Sequence, residues 1–234
     1  VWEVETGTML FKKNANVGTS HRAISFTHGG TRIVVSHAGG EHPEHLSKPA
    51  RVFDARTGEV INTFAHGKRT FGFSYSKDER LGATSDFLTG IQIWDMQTGG
   101  PIRKLEHPHT VTERGIAFSG DARFFAALDR TEEKLFVFRV SDWKLLHTLA
   151  ISDGHGSNLS FSSDSQHLVA KRGRMARAWD AETGELRGEW RAPEGFLLST
   201  GLERVLAGSQ LGGVTLLSLP SLAPIKALDG HNAR

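Results

Sequence analysis

A short pattern of hydrophobic and polar positions recurs along the chain: an apolar residue, one intervening position, an aromatic or apolar residue, a polar turn, then a second apolar stretch. Ile24-Ser25-Phe26 precedes Arg32-Ile33-Val34-Val35, and Phe73-Ser74-Tyr75 precedes Arg80-Leu81-Gly82-Ala83. Ile116-Ala117-Phe118-Ser119-Gly120-Asp121 precedes Phe124-Phe125-Ala126-Ala127, and Leu159-Ser160-Phe161-Ser162-Ser163-Asp164 precedes His167-Leu168-Val169-Ala170. Phe196-Leu197-Leu198 precedes Arg204-Val205-Leu206-Ala207. Stretches of this length and composition predict strands, and the Ser/Asp/Gly turns make each pair a hairpin.

A second pattern lies between these hairpins: an apolar residue, an aromatic, often Asp, then a turn ending in Thr-Gly. Its copies are Val1-Trp2-Glu3-Val4-Glu5-Thr6-Gly7, Val52-Phe53-Asp54-Ala55-Arg56-Thr57-Gly58, Ile93-Trp94-Asp95-Met96-Gln97-Thr98-Gly99, Val137-Phe138-Arg139 and Ala178-Trp179-Asp180-Ala181-Glu182-Thr183-Gly184, with a degenerate sixth at Thr215-Leu216-Leu217-Ser218. The anchors at 2, 53, 94, 138, 179 and 216 are separated by 51, 41, 44, 41 and 37 residues. A period of this size with four short strands per unit predicts an all-β protein, a β-propeller of four-stranded antiparallel blades.

These residues resemble the WD-repeat family, in its bacterial style, over nearly the whole chain. Trp94-Asp95 and Trp179-Asp180 match the family dipeptide, Phe53-Asp54 is close to it, and Gly154-His155 and Gly230-His231 match its Gly-His element. The resemblance implies one propeller region over 1–234, with blades at about 1–13 (partial), 20–66, 68–107, 112–150, 155–191 and 194–230. Five blades are then complete and two strands belong to another, so either flanking chain, the favoured reading, or a second molecule is expected to close the ring, in a longer multi-domain protein. Arg139 and Ser218 stand where the family has Asp, and His66-Gly67 reverses the Gly-His order. The family's His–Ser/Thr–Trp hydrogen-bond chain is therefore expected to be incomplete in several blades. The anchors Trp2, Phe53, Trp94, Phe138 and Trp179 are expected to pack between neighbouring sheets, and the Thr-Gly glycines to take positive φ.

Composition narrows the function. Hydrophobic residues make up 38% of the chain and charged residues 23%, which excludes disorder, and no apolar run approaches the length of a bilayer-spanning helix. The net charge of +2 gives little reason to expect nucleic acid, and no membrane partner is expected. There is no cysteine, which excludes disulfides, thiolate metal sites and a cysteine nucleophile and fits a cytoplasmic location. No nucleophile elbow or phosphate-binding loop is present, so no enzyme activity, catalytic residue or cofactor is expected.

Candidate chemistry falls on loops, where a rigid scaffold usually carries recognition. The resemblance implies that the turns joining second to third strands open on the partner-binding face. Lys171, Arg172, Arg174 and Arg177 place four cations in seven residues on such a turn, suited to an acidic segment of a protein partner. Phe87 and Leu88 lie on another, either as a contact spot or as a local mini-core. The insertion 37–48 brings His37, Glu41, His42, Glu44 and His45 together, either as a solvated partner-binding loop or, in the alternative reading, as the site of a ligand- or metal-binding or enzymatic propeller. Glu106-His107-Pro108-His109 reads as a connection between blades. The first reading is a non-catalytic protein–protein interaction scaffold.

Overall fold

The computed structural model describes residues 1–12, 22–27, 29–37, 49–67, 70–86, 89–105, 111–129, 133–151, 157–192, 196–200, 204–209 and 213–228. The described residues are strands and turns, and they contain no helix long and apolar enough to cross a membrane. Two compact units divide the chain, Val1–Glu113 and Arg114–Arg234.

The first unit holds two four-stranded sheets. One is β1 (Arg22–Phe26), β2 (Arg32–His37), β3 (Ala50–Asp54) and β4 (Val60–Phe64). The other is β5 (Thr70–Tyr75), β6 (Leu81–Asp86), β7 (Gly90–Asp95) and β8 (Pro101–Leu105). Ahead of them, Trp2 and Met9 form an isolated antiparallel bridge.

The second unit holds three, the first of which begins with residues 111–113, ahead of the boundary. They are β9 (Val111–Phe118), β10 (Phe124–Asp129), β11 (Lys134–Arg139) and β12 (Lys144–Ala150); β13 (Ser157–Phe161), β14 (His167–Arg172), β15 (Met175–Asp180) and β16 (Leu186–Arg191); and β17 (Phe196–Thr200), β18 (Arg204–Ser209), β19 (Val214–Ser218) and β20 (Pro224–Leu228). In all five sheets the strands pair antiparallel in chain order, the blade pattern of a propeller-like fold.

Burial explains the strand sequences. The second strands β6, β10 and β14 are buried on both faces; β6 and β10 read as nearly continuous apolar or small-residue runs closed by an Asp, and β14 has the apolar run Leu168-Val169-Ala170 followed by Lys171-Arg172. The outer strands β4, β8 and β20 are mostly exposed. Sheets bury their faces against each other. Trp94 and Met96 pack with Val34, Ala50, Val52 and Phe64 of the preceding sheet. Trp179, Leu168 and Ala170 pack with Leu128, Leu135 and Val137 in the same way.

One local device closes every third-to-fourth strand pair. The register slips by one residue immediately before the anchor, at Val52/Phe53, Ile93/Trp94, Val137/Phe138, Ala178/Trp179 and Leu216/Leu217. The extra residue is a β-bulge next to a tight turn. The sixth anchor is therefore Leu217, which pairs with Val205 and is fully buried, and not Leu216. The adjacent leucines at 216 and 217 hide that position in the sequence, since the pattern fits either of them.

The anchor Asp shapes the turn that follows. Asp54 Oδ1 accepts the amides of Arg56 and Thr57, Asp95 Oδ1 those of Gln97 and Thr98, and Asp180 Oδ1 those of Glu182 and Thr183. This is an Asx turn, in which a short carboxylate replaces missing backbone partners. The Thr57 and Thr98 amides, as the largest influences, hold the Asp54 and Asp95 carboxyls below the usual range. Gly7, Gly58, Gly99 and Gly184 end these turns with φ of +66°, +71°, +74° and +72°. Where Arg139 replaces the Asp, it forms a two-pronged ion pair with Asp142 at 3.0 and 2.7 Å. That guanidinium, helped by the Lys144 amide, pulls the Asp142 carboxyl down to about 2.

Candidate interaction face

The strand registers define one position that recurs in each sheet. Four residues beyond the residue paired with the anchor, the second strand ends. That end is His37 in β2, Asp86 in β6, Asp129 in β10, Arg172 in β14 and Ser209 in β18. The frame repeats while the chemistry at its end changes from sheet to sheet.

In the sheet β5–β8 this end is a closed polar network. Asp86 is fully buried, and its Oδ1 accepts from the Thr89 amide at 2.8 Å and the Thr89 hydroxyl at 2.9 Å. His66 Nε2 lies 3.0 Å from the same hydroxyl. The hydroxyl has one proton, which goes to Asp86, so the neutral imidazole carries its own proton on Nε2 and donates it. His66 Nδ1 is buried and has no hydrogen-bond partner. Burial, above all, pushes the His66 pKa down, against the pull of Asp86. On the same face the Trp94 indole Nε1 donates to Thr84 Oγ1 at 2.8 Å. The reversed His66-Gly67 order thus still places an imidazole in the network. The Asp86–Thr89 pair and Thr84 were not singled out in the sequence. The signal was there as an Asp closing a strand three residues before a Thr-Gly.

The sheet β13–β16 differs at each of these places. Ala170 stands in the register position of Thr84 and Arg172 in that of Asp86. The turn is also tighter than expected. Arg172 pairs with Met175, so Lys171 and Arg172 lie in β14, Arg177 lies in β15, and the turn itself is Gly173-Arg174. Lys171 and Arg172 are 9% and 8% exposed. Arg172 Nη1 donates to the Asp129 carbonyl at 3.5 Å, and its Nη2 lies 3.4 Å from Glu133 Oε1. Arg177 is ion-paired with Glu189 and also donates to the Ala150 carbonyl at 3.2 Å. Arg174 is exposed and donates through Nε to the Ala192 carbonyl at 3.0 Å. The four cations are thus spread along a hairpin, with Lys171 buried and the three arginines bonded within the fold, and do not form one free basic turn.

Phe53, Trp94, Phe138 and Trp179 are buried at 7%, 7%, 5% and 4% exposure, whereas Trp2 is 65% exposed. Trp2 sits in a hairpin with no second strand alongside it among the described residues. Phe87, Leu88, His42, His45, Gly154, His155, Gly230 and His231 lie outside the described residues, as do the rest of the 38–48 loop and residues 106–110. Among the described residues there is no group of three or more His, Asp or Glu side chains able to hold a metal.

The repeated four-stranded sheets with their Trp-Asp turns are consistent with the WD-repeat class of propellers. A relative among well-described proteins is serine-threonine kinase receptor-associated protein of Gallus gallus, 26% identical over 132 residues, which are 54% of this chain and 36% of that protein. The chain thus matches about a third of the length of that relative. No protein-family model matches the chain.

Proposed function

We propose that the chain is a non-catalytic protein–protein interaction scaffold of the bacterial WD-repeat style, acting in the cytoplasm as part of a longer multi-domain protein. The observation that carries this reading is the contrast between a repeating frame and non-repeating strand ends. Bulge, turn and anchor recur in each sheet, while the second strand ends in His37, Asp86, Asp129, Arg172 or Ser209. A fixed frame with variable ends is what a recognition surface requires. The relative's name, which describes a protein associated with a kinase receptor, supports a partner-binding role.

Acidic segments of partner proteins are the chemistry that best suits the β14–β15 turn. Arg174 is its exposed cation, and one guanidinium hydrogen bond to Ala192 holds it there with donors to spare. Phe87, Leu88, His42 and His45 are proposed as further partner-binding residues. Capture of lysate proteins by the immobilised chain tests this, with Arg174→Glu as the control. A partner held by the wild type and lost by Arg174→Glu is expected. Capture that is unchanged by the charge reversal would contradict the acidic-segment assignment.

A further inference from the structure

We propose that this chain associates head to tail, the Val1–Phe11 hairpin of one copy seating on the outward face of the β17–β20 sheet of a second copy.

Within each unit, neighbouring sheets meet in one repeated way. The following sheet brings its anchor and the residue two positions beyond it, Trp94 with Met96 or Trp179 with Ala181. The preceding sheet brings two cross-strand pairs. They are Val34–Val52 and Ala50–Phe64 in β1–β4, and Ala126–Val137 and Leu135–Leu149 in β9–β12. Each half of this joint also occurs exposed.

The knob is the hairpin. Trp2 pairs with Met9 as Trp94 pairs with Pro101, so Trp2 is an anchor by register and Val4 stands where Met96 does. Val1 and Phe11 pack on the cluster of Ile33 and Phe53, while Trp2 and Val4 stay 65% and 97% exposed. The socket is the β17–β20 sheet. Leu206 pairs with Leu216 and Val214 with Leu228, the same two pairs in the same register. The alternate residues Val205, Ala207 and Leu217 are buried against β14 and β15, but Leu206 and Leu228 are 43% and 41% exposed. Their counterparts Val34 and Phe64 are buried.

Charge matches as well. On the fourth strand, the residue opposite the one before the anchor reaches the turn of the following sheet. Asn62 donates through Nδ2 to the Met96 carbonyl at 2.8 Å, and His147 Nε2 meets the Glu182 carbonyl at 2.8 Å. Lys226 holds that position in β20 and is exposed. The hairpin turn carries Glu3 and Glu5, with Glu5 in the place of Glu182. Apolar burial on both sides supplies the attraction, and the Lys226–Glu5 pair fixes the register. The socket shares no residue with the β14–β15 turn, so capture of a partner through Arg174 succeeds or fails separately. Because the contact joins two different surfaces, copies add in a row and do not stop at a dimer.

Sedimentation of the 234-residue chain over a range of concentrations tests this. The wild-type mass is expected to climb past a dimer between about 1 and 100 μM. Trp2→Asp spoils the knob and Leu206→Asp the socket, so each alone should stay a monomer. An equimolar mixture of the two should form a heterodimer and nothing larger, since each variant keeps the half that the other lacks. That complementation also shows that both variants are folded. Lys226→Glu should weaken association about threefold, and Glu5→Lys in the same chain should restore it. A wild type that remains a monomer throughout that range, a mixture no heavier than its components, or association retained in either single variant would overturn the proposal.

Discussion

Two sheets of the same repeat solve the same packing problem with different chemistry. In β5–β8 the anchor Trp94 donates to Thr84, and Asp86, Thr89 and His66 close the strand end with buried hydrogen bonds. In β13–β16 the anchor Trp179 sits among Leu128, Leu135, Leu168 and Ala170, and Ala170 offers no acceptor where Thr84 does. What the two share is backbone: the bulge before the anchor, the Asp-capped turn and the positive-φ glycine. The turn is specified locally, so it repeats. The strand end is free to diverge, and it is there that recognition is proposed.

The difference is best broken first at Asp86. Asp86→Ala removes the acceptor of two hydrogen bonds that Thr89 donates and leaves half-buried donors behind, so denaturant unfolding should show a loss of about 3 kcal/mol. The shared backbone gives the next largest effect. Gly99→Ala and Gly184→Ala should each cost about 2 kcal/mol, because each needs positive φ and each new Cβ would come within 2.9 Å of Asn62 or 2.8 Å of His147. Similar losses in both sheets are expected; a large inequality would show that the turns are not equivalent.

The anchors sharpen the contrast. Trp94→Phe and Trp179→Phe remove similar volume from similar burial, but only the former loses the bond to Thr84, so Trp94→Phe should be the costlier by about 1 kcal/mol. A smaller effect is expected from pH. His66 has a lowered folded pKa, so the unfolded chain takes up the proton first; the stability it contributes is present above about 6.5 and lost as pH falls below that. His66→Gln should flatten this part of a stability-against-pH curve. The lowered carboxyls of Asp54, Asp95 and Asp180 act in a separate window, below about 4, where stability falls as they protonate. The smallest effect is a gain. Ala122 holds φ +58° in the β9–β10 turn, and Ala122→Gly should raise the unfolding midpoint by the equivalent of about 0.5–1 kcal/mol.

What was legible in the sequence follows the same division. The hairpins, the period and the Asp-x-Thr-Gly turns were readable because their causes lie within a few residues. Asp54, for example, caps amides two and three positions on. The link from His66 to the Asp86–Thr89 pair was not legible, because it joins residues 23 apart whose adjacency depends on register. Lys171 and Arg172 read as turn residues because charge usually marks a turn, yet a strand end that faces Asp129 and Glu133 can hold a cation. At 216 and 217 adjacent leucines gave no way to choose the anchor until Leu217 was seen to pair with Val205.

The most direct test of the proposed recognition face uses the two ends of a single sheet. A photo-crosslinking residue is placed at Arg174, on the β14–β15 turn, or at Glu182, on the β15–β16 turn, and partner adducts are identified by mass spectrometry. The scaffold account predicts a protein adduct from position 174 and none of the same protein from 182. An adduct from 182 alone, or equal adducts from both, would contradict it.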